Sequence, residues 1–301
     1  MGTEQELRDL QPDHDNLIGI DSDGCVFDSM TEKQVKCFHS AFIDLYGIPS
    51  EVERAVRDCL EFVNLFSQTR GQDRFICFDL AVDLMHEHPD IKGKDVNIPE
   101  TKDLKAWLAA GPPYGNAGLE DTIKGERNAC LEGSEELKKL LEWSLEVDVR
   151  VKGLDVIPPF PNCKTFLEMV GEKSDAMVVS STPLAALSHE WDVNGIRPYI
   201  RFICSKDIGT KVLHLQLATE GGKYELDKVL MIGDAPKDME SALKVGARFY
   251  PINPGKEDDS WKRLHEEVYA KFIAGEYTAE LEQQLIDEFL ALLPADPPWA
   301  S

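Results

Sequence analysis

The stretch LIGIDSDGCVFDS, residues 17–29, carries a short apolar run straight into a set of carboxylates. Leu17, Ile18 and Ile20 give residues 17–20 the composition of a strand buried on both faces. The run delivers Asp21 and Asp23 two positions apart, followed by Gly24 and then Asp28. Like charges held this close repel, so the ionised pair destabilises a fold unless something compensates it. Four further apolar runs follow: AMVV (176–179), RFIC (201–204), KVLMI (228–232) and RFYPI (248–252). From residue 160 onward these runs alternate with amphipathic segments, the pattern of a parallel sheet covered by helices. The expected fold class is α/β, a Rossmann-like parallel sheet.

Between the first and second runs lie more than a hundred residues of another texture. Val35, Phe38, Phe42 and Leu45 are spaced for one helix face, and Gly47 can end that helix. Ser50 and Glu53 have capping-box spacing ahead of Val56, Leu60 and Val63. Residues 73–85, 101–111 and 134–146 also read as helices, and GPPYGNAGLED (111–121) reads as a Gly/Pro-rich loop. The chain thus divides into an α/β core, residues 1–29 and 157–301, and an inserted helical domain, residues 30–156. Within the core, residues 258–293 form a helical extension. Its Leu264, Val268 and Phe272, then Leu281, Leu285, Phe289 and Leu292, are expected to pack on the sheet. His86 and His88 are expected as exposed side chains, since positions two apart do not share a helix face.

With 32 Lys and Arg against 55 Asp and Glu, the net charge is −23. That balance argues against nucleic acid or an anionic membrane as partner. No apolar run approaches the roughly 18 residues of a membrane span. The opening MGTEQELRDLQPDHD lacks the apolar segment of a signal peptide, and Glu6 stands where a myristoylation signal favours Ser or Thr. The seven cysteines are scattered and never spaced as CxxC, which fits reduced thiols and offers no zinc site. A cytoplasmic protein is expected. Its oligomeric state is not legible.

DSDGCVFDSMTE, residues 21–32, has carboxylates at some calcium-loop positions, but its glycine stands fourth rather than sixth and a strand precedes it. An EF-hand is excluded. Open parallel sheets bind ligands at the carboxyl ends of their strands. Four polar residues fall at or shortly after such ends here: Asp21, Ser180, Lys211 and Asp234. The carboxylates suit Mg²⁺, which takes oxygen ligands, while Ser180 and Lys211 offer donors to a phosphoryl group. A bound cation relieves the repulsion that the first stretch builds in.

DSDGCVFD (21–28) resembles the DxDGxxxD first motif of the haloacid dehalogenase-like phosphohydrolases. VVSSTP (178–183) resembles the family's second motif, and GDAPKD (233–238) its acidic motif. The helical block sits where that family inserts a cap. The resemblance implies Asp21 as nucleophile and Asp23 as general acid and base. It places Mg²⁺ on Asp21, Asp234 and the Asp23 main-chain carbonyl. Ser180 and Lys211, with Gly24 and Ser181 beside the motifs, would bind the phosphoryl oxygens, and Asp238 would support the metal or orient the lysine. Cys25 stands where the family has Thr, and Lys211 precedes Val212 where the family often has Pro. Lys206 competes with Lys211 for the lysine's role, but Lys211 lies 23 residues before Asp234, a spacing like the family's. In the helical block Arg70 and Arg74, flanking Gly71, are the candidates for an anionic part of the substrate. The resemblance implies a Mg²⁺-dependent hydrolase of a small phosphorylated metabolite, of the phosphoglycolate phosphatase and beta-phosphoglucomutase kind. A phosphomutase and a catalytically silent binding protein of the same fold are the alternatives.

Overall fold

The computed structural model describes residues 2–111 and 114–300, in two compact units. One holds Met1–Met30 and Val156–Leu293, the other Thr31–Asp155 and Pro294–Ser301. Among the described residues no helix is long and apolar enough to cross a membrane.

In the first unit five strands form one sheet: β1 (Leu17–Ile20), β2 (Asp175–Val179), β3 (Phe202–Cys204), β4 (Val229–Gly233) and β5 (Arg248–Pro251). Their order is β3-β2-β1-β4-β5, with every pairing parallel. The α/β expectation holds, and each apolar run became a strand within a residue or two of its expected bounds. The runs are continuous because both sheet faces are covered. Ile18 and Ile20 of β1 face a cluster with Phe166, Trp191 and Trp261. Leu17 faces the opposite cluster, with Met177, Leu215, Phe249 and Phe289. Gly19 shares that second face, where an added Cβ would meet Met231 Sδ and Val179 Cγ2, each at 3.2 Å. The glycine thus leaves room for the side chains of the two neighbouring strands at the sheet centre.

The C-terminal helices behave as expected. Leu264, Val268 and Phe272 join the first cluster, and helix Ala279–Leu290 sends Ile286 and Phe289 into the second. Leu293, rather than Leu292, is the fully buried residue beyond that helix. The sheet order reverses around β1, so the carboxyl ends of β1 and β4 lie side by side, Ile20 paired with Ile232. That is where an open sheet offers a ligand crevice.

The second unit is helical, around Phe42, Phe75, Phe78, Trp107 and Trp143. Four local expectations are corrected there. Residues 34–39 are π-helical, interrupting what the periodicity reads as a single helix ending at Gly47, whose φ is 63°. Pro49 takes the N-cap position and Ser50 is already helical, so the expected capping box does not form. The loop expected over 111–121 gives way to a helix, Asn116–Ile123, and Pro112 and Pro113 lie outside the described residues. His88 is buried, not exposed: its ring lies 4.8 Å from that of Trp299, which also packs 5.8 Å from Phe62. The last residues of the chain are therefore part of the helical unit.

Candidate active site

The first motif leaves β1 as a tight loop. Asp21 continues the strand pairing, its N–H donating to the Ile232 carbonyl at 3.0 Å. Gly24 then turns the chain with φ 79°, in the left-handed region that favours glycine. Two indoles pin the turn: Trp191 Nε1 donates to Ser22 Oγ at 3.0 Å, and Trp261 Nε1 to the Cys25 carbonyl at 2.7 Å. Cys25 is fully buried, and that burial together with Asp234 and Asp21 pushes its thiol far up, so it remains a neutral packing residue.

Three carboxylates converge at the ends of β1 and β4. Asp21, Asp234 and Asp238 are each buried and offer oxygens that all lie within 4.8 Å of one another. Lys211 opens helix Lys211–Thr219, and its Nζ lies 2.8 Å from Asp21 Oδ2 and 2.5 Å from Asp238 Oδ1. Asp238 also accepts the Ala235 N–H at 3.1 Å with Oδ2, so it caps its own helix and holds the lysine at once. Burial, opposed by Lys211 and reinforced by Asp238 and Asp234, holds the Asp21 carboxyl well above the usual carboxylate range. Burial works against the Lys211 ammonium, but Asp21 and Asp238 outweigh it and hold its pKa above the usual lysine value.

One ammonium faces three carboxylates. The surplus of negative charge and the all-oxygen donor set fit a hard divalent cation. These residues therefore suit the Mg²⁺ that the motifs imply, with Asp238 joining Asp21 and Asp234 in the cluster. Lys206, the competing lysine, is exposed, and its N–H donates to the Thr182 carbonyl at 3.2 Å.

Ser180 follows β2, one strand over from Asp21, and is buried, whereas Ser181 is exposed. Ser180 Oγ accepts the Thr182 N–H at 3.2 Å. Ser180 does not cap the next helix: the Leu184 N–H donates to Asp207 at 2.9 Å instead. Asp23 has partners that the motif reading missed. Its Oδ1 accepts a hydrogen bond from Ser29, and its Oδ2 one from Thr182 Oγ1 at 2.8 Å. The only available signal was that Thr182 lies inside the second motif and Ser29 directly follows the first.

Arg70 and Arg74 belong to the helical unit. Arg70 is buried and donates to the Leu65 carbonyl at 3.0 Å. Arg74 pairs with Asp148 at 2.8 Å, donates to Ser144 Oγ at 3.0 Å and stacks over Phe38. Arg74 thus ties its helix to the one that carries Ser144 and Asp148, and Arg70 closes the turn after helix Ser50–Leu65.

The buried carboxylate and lysine cluster thus sits at the central strand ends of a parallel α/β sheet. Residues 129–252 match the family model described as haloacid dehalogenase-like hydrolase, which bears out the resemblance for the second and acidic motifs. Ser180, Lys211, Asp234 and Asp238 lie within that span, and Asp21 and Asp23 lie upstream of it. Among solved structures, the chain is similar to a haloacid dehalogenase-like family hydrolase from Streptococcus pneumoniae, at 14% identity and TM-score 0.47, covering 85% of this chain and 98% of that one. A structure titled as a "predicted phosphoglycolate phosphatase" from Haemophilus somnus matches at 14% identity and TM-score 0.47, covering 79% and 85%. A 2-haloacid dehalogenase from Pseudomonas syringae matches at 15% identity and TM-score 0.40, covering 80% and 87%. Among proteins with curated descriptions, none matches this chain.

Proposed function

We propose that this chain hydrolyses a small phosphate monoester in two steps, with Mg²⁺ at the carboxylate cluster. In the first, an Asp21 carboxylate oxygen attacks phosphorus, the ester P–O bond breaks, and Asp23 gives its proton to the departing alkoxide. In the second, Asp23 takes a proton from water as that water attacks phosphorus. The Asp21–phosphorus bond then breaks and inorganic phosphate leaves. Lys211, fixed by Asp238, neutralises charge on the transferring oxygens, and Ser180 at the end of β2 offers a further donor. Mg²⁺, held by Asp21, Asp234 and the Asp23 carbonyl with Asp238 close by, would supply charge neutralisation to the same oxygens. The inserted helical unit would serve as the cap that limits access to small phosphorylated metabolites.

The observation that carries this reading is the 2.8 Å contact between Lys211 Nζ and Asp21 Oδ2 inside the buried carboxylate cluster. The bare ion pair explains neither the excess negative charge nor its burial, whereas a cation beside a phosphoryl site explains both. Phosphate release from p-nitrophenyl phosphate with Mg²⁺, abolished by EDTA and restored by added Mg²⁺, is the expected result. Turnover that is unchanged in EDTA, or absent from a panel of phosphorylated metabolites, would overturn it.

A further inference from the structure

Both oxygens of Asp23 are held by hydroxyls from distant parts of one unit. Ser29 opens helix Ser29–Lys33, six positions beyond Asp23, and donates to Oδ1. Thr182 comes from the loop after β2, 159 positions away, and donates to Oδ2 at 2.8 Å. Thr182 is itself fixed by its backbone. Its N–H donates to Ser180 Oγ at 3.2 Å, and its carbonyl accepts the Lys206 N–H at 3.2 Å. The loop is thus tied both to β2 and to the segment after β3, which sets where Oγ1 points.

From this geometry we infer that Thr182 is a positioning residue for Asp23, a role that rests on the phosphatase reading above. An acid and base must change protonation state between the two steps. A hydroxyl both donates and accepts, so Thr182 can stay bonded to Asp23 as carboxylate or as acid, which a Lys or Arg donor cannot do. Positioning matters because proton transfer to the leaving oxygen requires hydrogen-bond reach in one orientation. Leu or Val at position 182 would remove this hydroxyl from Oδ2 while Ser29 still donates to Oδ1, so the carboxyl group would be held less firmly in one orientation.

The test is leaving-group dependence. kcat/KM reports the steps through release of the alcohol, where Asp23 acts as acid. p-Nitrophenolate leaves without help, whereas a simple alkoxide needs the proton. Thr182→Val should lower kcat/KM for an alkyl phosphate by about ten- to a hundredfold, part of the roughly 10²–10⁴ that acid catalysis supplies. The same variant should lose less than about threefold on p-nitrophenyl phosphate, and Thr182→Ser should restore the alkyl phosphate rate. A loss equal on both substrates, no loss on either, or a Ser variant as impaired as Val overturns the inference while leaving the phosphatase reading intact. A wild-type protein that turns over neither substrate overturns that reading and this inference with it.

Discussion

Gly233 and Asp238 stand so close that a Cβ added to the glycine would lie 2.4 Å from the aspartate Cβ. The last residue of β4 and the first turn of helix Pro236–Val245 are pressed together, and this places Asp238 against Lys211. Gly233→Ala must push the helix or the strand aside. The expected cost is about 1–3 kcal/mol of stability by thermal melting, as for overpacking elsewhere, together with a large loss of turnover. An alanine variant with wild-type stability and rate would show that the helix moves freely.

Cation binding should be visible without catalysis. A ligand that binds only the folded state raises the melting temperature. Mg²⁺ should therefore stabilise the wild type, because it relieves repulsion among Asp21, Asp234 and Asp238, and Asp234→Asn should abolish most of that gain. An equal Mg²⁺ effect in both proteins would place the ion elsewhere.

Lys211 and Lys206 separate cleanly. Lys211→Ala removes the ammonium that Asp21 and Asp238 share, so kcat/KM should fall by about a hundredfold or more. Its melting temperature should fall too, because two buried carboxylates lose a partner. Lys206→Ala, at an exposed side chain, should remain near wild type in both measurements. Severe loss on removing Lys206 alone would reverse the assignment.

His39 sets an acid limit on the helical unit. It is fully buried, with no hydrogen-bond partner to either ring nitrogen among the described residues. Burial, with Arg57 nearby, pushes its pKa down from 6.5 to about 3. The unfolded chain therefore takes up a proton below pH 6.5 that the folded unit refuses, and stability is lost as pH falls from 6.5 toward 3. At pH 5 the loss from this one group is about 2 kcal/mol. His39→Phe should flatten the fall in melting temperature between pH 7 and 5. His214, buried in the other unit and lowered to about 4, leaves a second share in place. An unchanged slope in the Phe variant would show that His39 is not the group that titrates.

The core could be read from the sequence because its signals are local. A buried parallel strand is a continuous apolar run, and Asp21 and Asp234 mark strand ends by position alone. Lys211 was placed by spacing, although only the fold shows its reach to Asp238. The Asp23 partners were hidden for the opposite reason: Thr182 is 159 positions away, and no periodicity connects a hydroxyl in one loop to a carboxylate in another. The helical unit misled at its edges. Pro49 displaced Ser50 from the cap position, and His88 was drawn into the interior by Trp299, which lies 211 positions further along the chain.

That tryptophan changes what counts as a module. An inserted domain is ordinarily a cassette, excised with one cut on either side. Here residues 31–155 are only part of the helical unit, and the chain returns to it after Leu293. A chimaera that exchanged 31–155 alone would orphan an aromatic from its own partners. Phe62 and His88 would lose the ring that covers them, and the donor helices would arrive at their new host with an uncovered apolar face. Swaps meant to transfer specificity must carry residues 294–300 as well.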